Sequence, residues 1–277
     1  MLLYKTADSI LVEENGNFYR TDADSGANSL DAILNHKNLH AYLRSVIAKG
    51  DTVEPPTTFE APVGTQEVWA SGVTYYRSRN ARMEESKDAG GGDFYDRVYS
   101  ADRPELFFKA PGHRVIAPEG KVRIRTDATW SVPEPELTLV INARAEIIGY
   151  TIGNDMSSRD IEGTNPLYLP QAKVYNGSCA IGPAILIQPT PLPTSTEITI
   201  EIQRDGAQAF SGATRLTELK REPEVLVEYL YRELDFPQGA FLLTGTGVVP
   251  PDSFTLQSGD RISISITGIG KLVNTVA

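Results

Sequence analysis

The stretch Ser131–Asn142, SVPEPELTLVIN, followed after a short polar break by Ile147–Asp155, IIGYTIGND, decides how this chain reads. Residues two apart on a strand share a face, so Glu134 and Glu136 project together while Pro135, Leu137 and Leu139 point the other way. The break Asn142-Ala143-Arg144-Ala145-Glu146 joins two β-rich runs as a hairpin. With the turn centred between Arg144 and Ala145, position 134 falls opposite position 155, and Asp155 joins the two glutamates. Facing residues on antiparallel strands have β-carbons about 4.5–5.5 Å apart. Three ionised carboxylates that close repel one another and drive up at least one pKa; a bound cation removes the conflict. An all-oxygen donor set selects a hard ion, Mg²⁺ with Mn²⁺ or Ca²⁺ as alternatives, over Zn²⁺. Glu134, Glu136 and Asp155 are therefore candidate metal ligands. For an isolated E-x-E a solvated acidic strand face is the better explanation, and it is the added aspartate that favours a metal.

Outward from this hairpin, the 277 residues with 40% hydrophobic content suffice for one large core and a small satellite. Net charge is −10, from 26 basic and 36 acidic residues, and no basic cluster is dense enough for a nucleic-acid footprint. Cys179 is the sole cysteine, which rules out an intrachain disulfide and fits a reducing compartment. The start, MLLYKTADSILVEENG, lacks a long apolar core with a cleavage site, and no stretch approaches the roughly 18 apolar residues of a membrane span. The expectation is a cytoplasmic protein with no membrane or nucleic-acid partner.

The organisation reads as a small N-terminal α+β domain over residues 1–60 and a mostly β main domain over 65–277. Residues 2–21 form a hairpin around Glu14, Asn15 and Gly16, and residues 28–49 carry a helical spacing of Leu30, Ile33, Leu34, Leu39, Leu43, Val46 and Ile47. The proline-rich connector DTVEPPTTFEAPVG, Asp51 to Gly64, resists regular structure. Beyond it, VWASGVTYY, LFFKA, KVRIRT, ELTLVIN, IIGYTIG, AILIQP, EITIEIQ, GAFLLTG and RISISITGIG recur as strand signals. Two stretches read as helices, 78–88 and about 223–234, the second with Pro223 in its first turn. The run Ala89-Gly90-Gly91-Gly92 after the first suits a lid or an idle surface loop.

Several polar residues stand out near the carboxylates. Lys173, among apolar and aromatic neighbours downstream of Asp155, is a candidate proton shuttle, because desolvation and a nearby cation lower a lysine pKa; a surface charge is the plainer reading. Glu105 adjoins Leu106, Phe107 and Phe108, so it is either paired or functional, with Lys109 on the same strand face as a structural ion-pair partner. Leu243 to Gly247, LTGTG, offers glycines and the Thr244 and Thr246 hydroxyls for close approach to a carboxylate ligand; it lacks the lysine and spacing of a phosphate loop.

The segments RPELFFKA, VPEPELTLVI, GYTIGND, SRDIEGTNPLYLPQAKVYNGSCAIGP and LTGTGVVP together resemble the fumarylacetoacetate hydrolase superfamily from about Val68 to Ile269. They look closest to its branch that dehydrates 2-keto-3-deoxy-D-arabinonate to 2,5-dioxopentanoate. The resemblance implies a twisted, mixed-sheet pseudo-barrel with a small N-terminal domain, commonly a homodimer. It puts the Mg²⁺ ligands on Glu134, Glu136 and Asp155, the catalytic lysine and acid on Lys173 and Glu105, and substrate contacts on Ser78, Arg79, Lys109 and Thr246. Carbon–carbon hydrolases of the superfamily carry a histidine in a segment like GRNYxxH; here GVTYYRS puts Ser78 at that position, which ranks hydrolysis below dehydration. His36, His40 and His113 do not replace it. The expected partner is a small 2-keto acid. An acylpyruvate hydrolase or 2-oxo acid decarboxylase on the same metal is the first rival, and a non-catalytic metal or sugar-acid binding protein the rival from another class.

Overall fold

A computed structural model describes residues 1–22, 26–75 and 97–277. The N-terminal segment supplies β1 (Leu2–Lys5), β2 (Ile10–Glu14), β3 (Asn17–Arg20) and, after two helices, β4 (Thr52–Val53). β5 (Glu67–Gly72), β6 (Glu105–Pro111), β7 (Lys121–Val122) and β8 (Ser131–Val132) lead to the hairpin β9 (Pro135–Ile141) and β10 (Ile147–Asp155). The remaining strands are β11 (Ser157–Ser158), β12 (Cys179–Ile187), β13 (Glu197–Arg204), β14 (Ala207–Arg215), β15 (Ala240–Leu243), β16 (Arg261–Ile266) and β17 (Gly270–Val276). Ten of them form one mixed sheet in the order β4-β3-β2-β1-β12-β10-β9-β15-β5-β6, and five form a second in the order β14-β13-β16-β17-β7.

The larger sheet curls until it meets itself. After β6 a single turn at Gly112–Arg114 redirects the chain. The Ile116 N–H then donates to the Cys179 carbonyl at 2.8 Å, and the Ile181 N–H donates to the Ile116 carbonyl at 3.3 Å. One end of β12 thus has β10 on one edge and Ile116 on the other, which closes the pseudo-barrel that the resemblance implies. Strand parity sorts the side chains. Leu137, Leu139 and Ile152 turn to a core shared with Ile198, Ile200, Ile262 and Ile264 of the five-stranded sheet. Val140, Phe241, Leu243, Val68 and Ile181 turn to a second core on the other face, which the N-terminal helices cover through Leu30, Ile33, Leu43 and Val46.

The N-terminal strands pair directly with the main sheet, Leu3 facing Ile185 across β1 and β12. Asn15 and Gly16, with φ of 54° and 83°, make the tight turn between β2 and β3 that the sequence signals. The apolar run 28–49, by contrast, is two helices, Ala27–Leu34 and Leu39–Lys49. Asn35 breaks it: its amide donates to the Asp31 carbonyl at 2.8 Å and to the Gln238 carbonyl at 3.0 Å, while its side-chain oxygen accepts from the Ala143 N–H at 2.7 Å. A side chain so engaged ties the helix end to two turns of the main sheet instead of letting the helix continue. Two further departures concern strands. β14, and β17 beyond Gly270, are strands that the sequence pattern does not signal, and KVRIRT is a strand only at Lys121–Val122. The C-terminal helix spans Pro223–Tyr231. The helix expected over 78–88 and the glycine run after it lie outside the described residues.

Candidate metal centre

The hairpin register brings the three carboxylates together. Gly153 faces Glu136, Asn154 faces Pro135, and the Asp155 N–H donates to the Glu134 carbonyl at 3.0 Å, so 134 does lie opposite 155. Glu134 and Glu136, two residues apart on an extended chain, share a side. Each of the three is at most 4% exposed, and one oxygen from each lies within 4.8 Å of the others. Asp155 faces Cys179 across β10 and β12; burial pushes the Cys179 thiol up to about 12, so it is an inert packing group here.

Three buried cations surround the trio. Lys173 Nζ lies 2.5 Å from Glu134 Oε2 and 3.0 Å from Asp155 Oδ2. Arg159 Nη2 donates to Glu134 Oε1 at 2.6 Å. Lys109 pairs with Asp155 Oδ1, and its remaining donors reach the Met156 carbonyl at 3.0 Å and the Lys173 carbonyl at 2.6 Å. Part of the repulsion expected among the carboxylates is therefore relieved by protein cations. Glu136 is the exception. Among the described residues its side chain accepts one hydrogen bond, from the Gly245 N–H at 2.6 Å, and has no ammonium or guanidinium partner. Burial first, then the charges of Asp155 and Glu134, push its carboxyl well above the ordinary range, against the smaller opposing pull of Lys173 and the Gly245 N–H. An under-compensated buried carboxylate beside two others fits a hard divalent cation, with all three side chains as ligands.

Of the other expected site residues, Lys173 lies within the cluster, its ammonium also 5.8 Å from the Phe107 ring centroid. Thr246 lines the same cavity, its hydroxyl donating to the Val248 carbonyl at 3.2 Å and accepting from the Val248 N–H at 3.1 Å. Glu105 faces Gly72 in the β5–β6 register, and Gly72 and Phe107 both line the cavity. Lys109 corrects one expectation. It pairs with Asp155 and not with Glu105, which sits four residues away along an extended strand, and the three acceptors around its ammonium take up its donors. Ser78 and Arg79 lie outside the described residues. Sequence reasoning missed Arg159, the Gly245 N–H and Gly72. Arg159 stands four residues after Asp155 inside GNDMSSRD, where an arginine amid small residues was the available signal. Val73, also lining the cavity, has φ of 53°, a strained conformation for a β-branched residue of the kind that gathers at functional sites.

Comparison with known proteins agrees with this geometry. Residues 73–277 match the family described as fumarylacetoacetate (FAA) hydrolase C-terminal. A probable 2-keto-3-deoxyxylonate dehydratase of Haloferax volcanii is 49% identical over 78% of this chain and 73% of its own length. The 2-dehydro-3-deoxy-D-arabinonate dehydratase of Saccharolobus solfataricus is 40% identical over the same shares. A solved structure of 2-keto-3-deoxy-D-arabinonate dehydratase, complexed with magnesium and 2,5-dioxopentanoate, superposes with a TM-score of 0.84 at 32% identity, covering 100% of this chain and 98% of that one.

Proposed function

The chain belongs to the fumarylacetoacetate hydrolase family, and from that premise we propose that it is a magnesium-dependent dehydratase converting a 2-keto-3-deoxypentonate to 2,5-dioxopentanoate and water. The observation that carries this reading is the buried trio Glu134, Glu136 and Asp155 with the Lys173 ammonium set between two of them. Formal charges agree with an anionic substrate. Lys109, Arg159 and Lys173 offset the three carboxylates, so a divalent cation leaves the pocket positive until an oxo-acid carboxylate enters.

When bound, Mg²⁺ supplies Lewis-acid polarisation of the ketone, worth several kcal/mol, which makes the neighbouring CH₂ acidic. The chain's own groups do the rest. Lys173, nine-tenths or more buried and held by Glu134 and Asp155, is placed to take or return a proton at that carbon. Glu105, at the cavity's edge over Gly72, would supply the second proton, the one that leaves with the hydroxyl one carbon further along as water; the C3=C4 alkene so formed tautomerises to 2,5-dioxopentanoate, hydrogens moving from C5 and its hydroxyl to C3 and C4. Such acid–base help contributes about 10²–10⁴-fold. Thr246 and the Gly245 turn close one wall of the cavity, and Lys109 and Arg159 hold the Asp155 and Glu134 carboxylates in place.

The test is product identity. Magnesium-loaded protein incubated with 2-keto-3-deoxyarabinonate and 2-keto-3-deoxyxylonate should yield 2,5-dioxopentanoate by mass, and chelation should stop it. Two carbon fragments would instead signify hydrolysis, and CO₂ decarboxylation. A homodimer in the cytoplasm belongs to the same reading, and light scattering of the purified protein checks the assembly.

A further inference from the structure

A missing side chain at Gly72 gives Glu105 its place. The two residues face each other across β5 and β6. A β-carbon built on Gly72 would fall 2.0 Å from Glu105 Oε2, 2.6 Å from its Cδ and 3.3 Å from its Oε1, and these are the three nearest atoms. The Glu105 carboxyl therefore lies in the notch that a glycine leaves, Oε2 foremost. Gly72 itself lines the cavity of the carboxylate trio, so the notch sets the carboxyl at the cavity's edge. Nothing about the backbone demands glycine here: the residue is in a strand and lies outside the left-handed region, so its conformation suits alanine.

We propose that Gly72 is a positioning residue for the reaction: by carrying no β-carbon it seats the Glu105 carboxyl against the substrate cavity. The inference rests on the dehydratase reading for the chemistry that Glu105 performs, but not for the geometry. An alanine methyl would drive Glu105 Oε2 back by more than about 1 Å, a misplacement that costs on the order of 100-fold when it falls on a catalytic group. The backbone and the metal ligands stay where they are, because only the far end of the Glu105 side chain has to yield.

The test is a double-mutant cycle on the full-length, magnesium-loaded protein with Gly72→Ala, Glu105→Ala and the pair. Gly72→Ala should lower kcat about 10- to 100-fold, with KM within threefold, and leave the unfolding midpoint and Mg²⁺ affinity at wild-type values. Added to Glu105→Ala it should cost nothing further, since the group it displaces is gone. A Gly72→Ala protein with wild-type kcat overturns the proposal, as does a double variant whose loss is the product of the two single losses. Should Gly72→Ala lose its fold, the double variant must regain it, and one that stays unfolded also overturns the proposal. If the wild type turns over no 2-keto-3-deoxy acid, the dehydratase reading fails instead. The notch is then judged from a crystal structure of Gly72→Ala, in which an unmoved Glu105 carboxyl would refute it.

Discussion

Glu136 is set apart from its two neighbours by what it lacks. Glu134 has Lys173 and Arg159, and Asp155 has Lys109 and Lys173, whereas among the described residues Glu136 has one backbone N–H. A cation entering the trio gains most from this carboxylate, because its charge is the least offset beforehand. Glu136→Gln keeps the shape and the Gly245 hydrogen bond but removes that charge. It should abolish magnesium-dependent turnover and weaken Mg²⁺ binding by well over tenfold in calorimetry. Lys173→Ala should behave oppositely. It removes the ammonium that competes with the cation for Glu134 and Asp155, so Mg²⁺ binding is kept or tightened while kcat falls by about 10²–10⁴-fold, the range for losing general acid–base help. A Lys173→Ala protein with full activity would remove Lys173 from the chemistry. Lys109 is different in kind, since it meets Asp155 from the protein side and spends its donors there, whereas Arg159 holds Glu134 through Nη2 while also lining the cavity.

At the scale of elements, the β9–β10 hairpin is the platform, and its close fit to β15 keeps the carboxylates aligned. Gly153 faces Glu136, and a β-carbon there would fall 2.2 Å from Leu243 Cδ2 and 2.4 Å from Thr138 Oγ1. Gly153→Ala therefore wedges the strands apart directly beneath the site. It should cost about 1–3 kcal/mol in a denaturant titration, as overpacking does, and lower Mg²⁺ affinity with it. Gly72→Ala, by contrast, is expected to leave stability intact. Much of this platform is legible in the sequence, because strand parity fixes which side Glu134 and Glu136 share; the turn itself pairs Ile141 with Ile147, and a bulge between Ile147 and Gly149 shifts the count by one to set Glu136 against Gly153. What the sequence conceals depends on distant contacts. Lys109 meets acceptors 47 and 64 residues away, so its ion pair with Asp155 has no local signature. β14 is hard to see in the sequence because it is an edge strand, AQAFSGATR, largely exposed and lacking an apolar face to mark it. The break at Asn35 is equally non-local, set by partners at Ala143 and Gln238.

For the molecule as a whole, the metal site is a coupling between folding, cation binding and pH. The trio is assembled from the end of β10, the start of β9 and Glu134 just before it, deep between strands of one closed sheet, so the unfolded chain offers no comparable site. Binding to the folded state alone stabilises it by about 2.7 kcal/mol at a free concentration 100 times Kd. At about 2–4 °C per kcal/mol for chains approaching this size, Mg²⁺ should raise the unfolding midpoint by several degrees, reversibly with chelator. The size of that shift depends on Glu136. Its carboxyl is held well above the ordinary range in the ion-free fold, so between its unfolded and folded pKa values the native state binds the extra proton. The stability this lends the ion-free protein is fully present below the unfolded pKa and is lost as pH rises through the folded one. The cation demands the ionised carboxylate, so binding expels that proton and apparent affinity rises by up to about tenfold per pH unit until the folded pKa is passed. The magnesium-induced midpoint shift should accordingly be small in acid, grow with pH and then level off, as differential scanning calorimetry at fixed Mg²⁺ would record. In Glu136→Gln, which has no proton to expel, the residual shift should lose most of this pH dependence, and a wild-type profile flat across the same range would mean that Glu136 does not bind the ion.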